Sequence, residues 1–167
     1  MLLKAGDETM KSTKYLLACA GVLLSLAVAA YGQETTSVTL SNQTITVKSS
    51  GVPTGNRVAG TIHTDANLAF KGFSIPKGDY SIYVLTEGVR WQLAVSRATI
   101  ANAATYDPKQ DLGRVSMLMV RPQGPPASCK MTLSKIAPLA AQLQVVCNDK
   151  AATAAFRLDR GANDSEW

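Results

Sequence analysis

From Gln33 onward the chain runs in short segments that alternate apolar and polar residues, broken by polar turn clusters every eight to twelve positions. That rhythm admits strands and leaves almost no room for helices, because a half-buried strand repeats every two residues and an amphipathic helix every 3.6. Thr, Val, Ile and Ser dominate the segments, and these are residue types that fit a pleated surface. Nine runs read as strands: 38–48 (interrupted at Ser41, Asn42 and Gln43), 57–62, 68–75, 80–86, 91–97, 114–121, 128–133, 142–147 and 153–158. Only residues 100–104 suggest a helical turn. With 46% hydrophobic and 17% charged residues the chain has the material for a core, and disorder is disfavoured. The expected fold is all-β: a single-domain antiparallel β-sandwich of eight or nine strands over residues 33–160, with 161–167 as a flexible tail.

The segment before this domain has a different character. Lys11 and Lys14 precede an uncharged, mostly apolar run from Tyr15 to Ala30, and Ala30 and Gly32 take the −3 and −1 places of a cut before Gln33. This is the pattern of a secretory signal peptide, residues 1–32. Asp7 and Glu8 sit badly in a positive leader start, and initiation at Met10 removes both. A spanning helix needs about 20 apolar residues, more than this run supplies. Leu16-Leu17-Ala18-Cys19 also has the form of a lipoprotein cleavage box, but only the four residues from Tyr15 separate its cysteine from Lys14. The protein is therefore expected to be exported, periplasmic or secreted, meeting the membrane only through its leader.

Export changes the meaning of the cysteines. Cys19 leaves with the leader, and Cys129 and Cys147 remain as an even count in an oxidising space. If 129–133 and 143–147 fold as a hairpin about Pro138, one register opposes Cys129 with Cys147, Met131 with Val145 and Leu133 with Leu143. A disulfide is the expected outcome, with two buried free thiols as the alternative.

Turn chemistry predicts two further hairpins. Pro76-Lys77-Gly78 is read as joining 68–75 to 80–86 as antiparallel neighbours, and Glu87-Gly88-Val89-Arg90 as turning the chain into the strand that starts at Trp91, making a three-stranded meander. The run from Met117 onward is apolar on nearly both faces, which predicts a central strand covered on both sides.

Several pieces in order resemble a known family. They are Thr61-Ile62-His63-Thr64-Asp65-Ala66-Asn67-Leu68, the Pro76-Lys77-Gly78-Asp79-Tyr80 turn with Ser81-Ile82-Tyr83-Val84-Leu85, Trp91-Gln92-Leu93-Ala94-Val95, Tyr106-Asp107 and Leu112-Gly113-Arg114-Val115. From about Asn56 to Leu158 the chain resembles the domain of unknown function 2911 family of exported bacterial proteins. Two segments depart from the family pattern: its Trp-Arg-x-Gly-Ala-Asn stretch is reduced to Thr54-Gly55-Asn56, and its Asn-Lys after the Trp strand is replaced by Ser96-Arg97. The resemblance implies a fold and a compartment and assigns no reaction.

The residues that can carry chemistry are few. His63, the single histidine, shares a strand face with Asp65; the pair can orient a general base or offer ligand contacts, and the competing reading is a surface or turn-capping histidine. Zinc wants three or four ligands, which a lone histidine and two paired cysteines do not supply, so no metal and no cofactor is assigned. Asp107 and Asp111 flank Pro108-Lys109-Gln110 and can hold Ca²⁺ or act as an acid and base pair; the favoured reading is two turn openers. Tyr83, Trp91 and Tyr106 are aromatics a ligand can stack on, with Trp91 favoured as core and Tyr80 and Tyr83 on opposite faces of one strand. No nucleophile elbow, HExxH, CxxC or phosphate-cradling loop is present.

Net charge is +5, and loss of residues 1–32, with three lysines and two acids, leaves +4. This charge is scattered, and nucleic-acid binding also conflicts with export. The sequence therefore points to a non-enzymatic module binding an envelope ligand or protein, with no catalytic residue assigned. The alternatives are a carbohydrate- or cell-wall-acting enzyme using Asp107, Asp111 or His63, and a structural envelope module.

Overall fold

A computed structural model describes residues 33–51, 55, 57–98, 105–124 and 127–161. The leader, the alternative start at Met10, the helical turn at 100–104 and the tail after Gly161 lie outside the described residues. Twelve strands run in chain order: β1 (Thr35–Leu40), β2 (Gln43–Ser49), β3 (Gly60–Thr64), β4 (Leu68–Phe70), β5 (Phe73–Ile75), β6 (Gly78–Glu87), β7 (Arg90–Ser96), β8 (Asp111–Ser116), β9 (Leu118–Val120), β10 (Ala127–Ala137), β11 (Ala140–Asn148) and β12 (Lys150–Leu158). Three of the nine expected runs are each divided in two, which accounts for the larger number. Sheet A has the order β1-β2-β3-β6-β7-β8. Sheet B has the order β10-β11-β12-β4-β5, with β9 also paired to β12. Every pairing is antiparallel, as expected for a sandwich.

The alternation works as read. Ile45, Val47, Ile62, Ile82, Val84, Leu93 and Val95 of sheet A meet Leu68, Phe70, Leu143, Val145, Ala154, Phe156 and Leu158 of sheet B in one core. Trp91 belongs to that core, with 4% of its surface exposed. Burying each Val, Leu, Ile or Phe of this core is worth roughly 1.5–3 kcal/mol against leaving it in water. The β6–β7 hairpin closes through Gly88 and Val89, and Gly88 takes φ 61°, the left-handed backbone that a tight hairpin turn demands at its first position. β10 and β11 pair in the predicted register, with Met131 opposite Val145 and Leu133 opposite Leu143, and Cys129 is disulfide-bonded to Cys147.

Two expectations are corrected. Residues 68–75 do not form one strand beside 80–86; the chain reverses at Lys71-Gly72, Phe70 pairs with Phe73, and the resulting β4–β5 hairpin lies in sheet B. Pro76-Lys77-Gly78 is thus a passage between sheets. It is fixed by the Lys77 amide donating to Asn67 Oδ1 (3.0 Å) and the Tyr80 hydroxyl donating to the Pro76 carbonyl (2.9 Å). The meander of sheet A is β6-β7-β8 instead.

The run 114–121 likewise changes sheet, at Met117. Its first part is the edge strand β8, and its second is β9, where Leu118 is 69% exposed. The apolar residues here are not covered on two faces: Val115 and Met117 are buried, whereas Leu118 and Met119 of β9 are both exposed. The sheet edges abut on both sides of the sandwich: the Leu133 amide of β10 donates to Thr36 Oγ1 of β1 (3.2 Å), and Phe73 of β5 lies against Gly113 of β8.

Candidate functional site

Strand parity sends one set of sheet A side chains into the core and the other outward. The outward set includes Thr46 and Lys48 on β2, Thr61 and His63 on β3, and Asp79, Ser81 and Tyr83 on β6, brought side by side by the pairs Thr46 with His63 and His63 with Asp79. Tyr80 packs toward the core and Tyr83 on the opposite face, the arrangement expected from their spacing.

Two hollows open on this outer face. The larger, 470 Å³, is lined by residues that include Lys48, Ser50, Val58, Thr61, Asp79 and Ser81. The smaller, 280 Å³, is lined by Thr46, Lys48, Thr61, His63 and Asp79. Lys48, Thr61 and Asp79 are common to both, so the hollows adjoin across β2, β3 and β6, and the two are taken together as one groove.

At the His63 end the side chains hold one another. Nδ1 of the imidazole lies 2.8 Å from Asp79 Oδ1, and Nε2 lies 3.1 Å from Asp65 Oδ1. Asp65 Oδ2 also accepts from the Thr44 amide at 3.3 Å. The bond to Asp79 and then that to Asp65 hold the imidazole above its ordinary value of 6.5.

A second cluster sits further along the same face. Tyr83, 1% exposed, packs with Ala94, Val58, Ala98 and Tyr106, and the two tyrosine rings meet at 4.9 Å. Tyr83 is therefore closed to a stacking ligand, because the Tyr106 ring packs over it. The Tyr106 hydroxyl donates to Asp111 Oδ2, which also accepts from Arg114 Nε at 2.6 Å, and the guanidinium lies 5.4 Å from the Tyr106 ring centre. Asp111 Oδ1 is buried without a hydrogen-bond partner. Burial first, and the Asp111 charge next, raise the Tyr83 hydroxyl above its ordinary value of 10. Burial and the bond to Asp111 raise that of Tyr106 further. The same carboxylate raises Arg114.

The candidate residues thus fall into three places. His63 and Asp65 are together at one end of the groove, and Tyr83, Tyr106 and Asp111 form a separate ion-paired cluster. Trp91 lies between the sheets. Asp107 stands apart, capping the 3₁₀ turn Pro108–Gln110 by accepting from the Lys109 amide at 3.0 Å, which is the turn role read from the sequence. Asp107 and Asp111 are therefore engaged separately. Among the described residues, no group of three His, Cys, Asp or Glu side chains is placed to hold a metal ion.

Sequence reasoning missed Lys48 and Asp79. Asp79 shares strand parity with Ser81 and Tyr83, a usable signal, but its approach to His63 depends on β6 pairing with β3, whereas the turn chemistry at 76–78 points to 68–75 as the neighbour of β6. No curated protein and no solved structure matches the chain closely enough to count as a relative. A family profile does match, over residues 53–155, spanning the groove strands β3 and β6 and the Tyr106 cluster. The chain belongs to the protein family of unknown function DUF2911.

Proposed function

We propose that the protein is a non-enzymatic binding module, exported to the periplasm or beyond, whose ligand lies in the groove on the outer face of sheet A. The observation that carries this reading is the pair of adjoining hollows that share Lys48, Thr61 and Asp79 in their walls. The larger falls within the range of about 300–1,000 Å³ typical of ligand pockets, and its lining sets Val58 and Ala98 beside the polar Lys48, Ser50, Thr61 and Asp79. Binding is favoured over catalysis because both nitrogens of His63 face carboxylates, which leaves neither aimed at a hydroxyl or thiol to activate. Export is supported by the leader pattern and by a disulfide, a bond typical of oxidising compartments.

The test is thermal unfolding of the oxidised protein against glycans, peptidoglycan fragments, charged peptides and divalent ions with a chelator control. A ligand at 100 times its Kd adds about 2.7 kcal/mol, on the order of 10 °C in midpoint for a domain of this size. The shift should be lost in Lys48→Ala and Thr61→Ala. A shift that survives both substitutions places the ligand elsewhere, and no shift with any class removes the small-ligand reading.

A further inference from the structure

His63 stands in the wall of the smaller hollow, and its geometry defines a protonation state. Carboxylates only accept hydrogen bonds, and a neutral imidazole donates only one. A ring with Nδ1 at 2.8 Å from one carboxylate oxygen and Nε2 at 3.1 Å from another is satisfied only as the imidazolium. The groups that face it are Asp79 from β6, Thr46 and Lys48 from β2, and Asp65 and Thr61 from its own segment. With the imidazolium and the Lys48 ammonium set against Asp65 and Asp79, this end of the groove is electrically neutral.

We infer that His63 is a proton-operated gate on this groove: as the imidazolium it ties Asp65 and Asp79 together, and on losing its proton it frees one carboxylate and leaves the groove one unit more negative. The inference deepens the groove-binding reading and rests on it. Of the two bonds the shorter, to Asp79, is the one a neutral ring retains. Nε2 and Asp65 Oδ1 then confront each other as two acceptors. That repulsion is relieved when Asp65 turns away from Nε2, or when a ligand brings a donor between them. A ligand carrying an ammonium group therefore gains affinity as His63 deprotonates, and an anionic ligand loses it. His63 is about half exposed, so the effect of one unit charge at close range is modest, roughly two- to fivefold in affinity.

Because the chain has one histidine, its ring signals in an NMR pH titration need no assignment. The midpoint is expected above 6.5 and should fall in Asp79→Asn and in Asp65→Asn. The backbone amides of Thr46, Lys48, Thr61 and Asp79 should move with the same midpoint and become flat in His63→Gln. In the second arm, 1,4-diaminobutane and succinate, minimal probes of opposite charge, are titrated at pH 5.5 and 8.5 while the groove amides are followed. The diamine is expected to bind two- to fivefold more tightly at the higher pH and the diacid more weakly, with both differences abolished in His63→Gln.

A midpoint at or below 6.5, or groove amides that ignore it, overturns the gate. So does a probe that binds equally at both pH values. Amides that follow His63 while neither probe binds leave the proton-linked rearrangement standing and refute the groove as a ligand site.

Discussion

A methyl group added at Gly113 tests how the two sheets meet. Gly113 lies on the edge strand β8, and the ring of Phe73, from β5 of the other sheet, rests on its backbone. A Cβ built on Gly113 falls 2.5 and 2.6 Å from the two Cδ atoms of that ring, far inside the 3.5–4.0 Å at which carbon atoms attract. Phe73 has little freedom to retreat, because its ring is stacked on Phe70 at 5.0 Å with 5° between planes, and Phe70 in turn packs on Phe156. Overpacking of this kind costs about 1–3 kcal/mol, and loss of the glycine's freedom in the unfolded chain returns about 0.4–1 kcal/mol. Gly113→Ala should therefore destabilise by about 1–2 kcal/mol net, a fall of roughly 3–8 °C in Tm by circular dichroism. Phe73→Ala alone costs about 2–3 kcal/mol, less than a fully buried ring would. In the Phe73→Ala background the Gly113→Ala change should become neutral or stabilising. Equal destabilisation in both backgrounds would refute the claim that Phe73 is seated on Gly113.

Other outcomes follow from the same structure. Asp111→Ala strands Arg114 and removes the acceptor of the Tyr106 hydroxyl, and should cost about 1–3 kcal/mol by urea unfolding, against about 1 kcal/mol for Tyr106→Phe. Tyr83 and Tyr106 both have raised hydroxyls, so the native state favours their neutral forms. The stability this confers is full below pH 10 and is lost as the pH rises through the folded values. A pH series of melting curves should show that alkaline loss, reduced in Tyr106→Phe. Replacing Cys129 and Cys147 by serine opens a loop of 18 residues, with an expected loss of about 3 kcal/mol in chemical denaturation; a loss below 1 kcal/mol would mean the loop is equally constrained without its bond.

How far the sequence carries depends on which property of a strand is asked for. Alternation reveals which residues share a face, so the β10–β11 register, the inward Trp91 and the opposed Tyr80 and Tyr83 were all legible. It does not reveal which sheet a strand joins. The chain changes sheets between β3 and β4, at Pro76-Lys77-Gly78 and again at Met117, and each of the last two passages looks locally like a turn or an apolar run. That is why the sequence pattern pairs 68–75 with 80–86 and makes 114–121 one central strand. The candidate site suffers from the same limit. His63 and Asp65 are neighbours in sequence and were found together, whereas Asp79 and Lys48 reach them only through pairings between β2, β3 and β6. Asp111 reads as a turn residue from its neighbours, but its bonds to Tyr106 and Arg114 need the fold of the intervening segment.

The shared flank of β12 has a consequence for the order in which the molecule can be assembled. One side of β12 pairs along its length with β11, and the other is divided between β9, at Ala151 to Thr153, and β4, at Phe156 to Leu158. β12 is the last strand in order among the described residues, whereas all six strands of sheet A are complete by Ser116. During synthesis, sheet A can therefore pair fully while the β4–β5 hairpin and β9 still wait for a strand that has not emerged, their apolar faces open to other chains. A chain stopped before Lys150 should retain strand signal yet expose its core, seen as dye binding and ready proteolysis. Completion of the final nine-residue strand is thus the event that converts two loosely associated layers into one closed body.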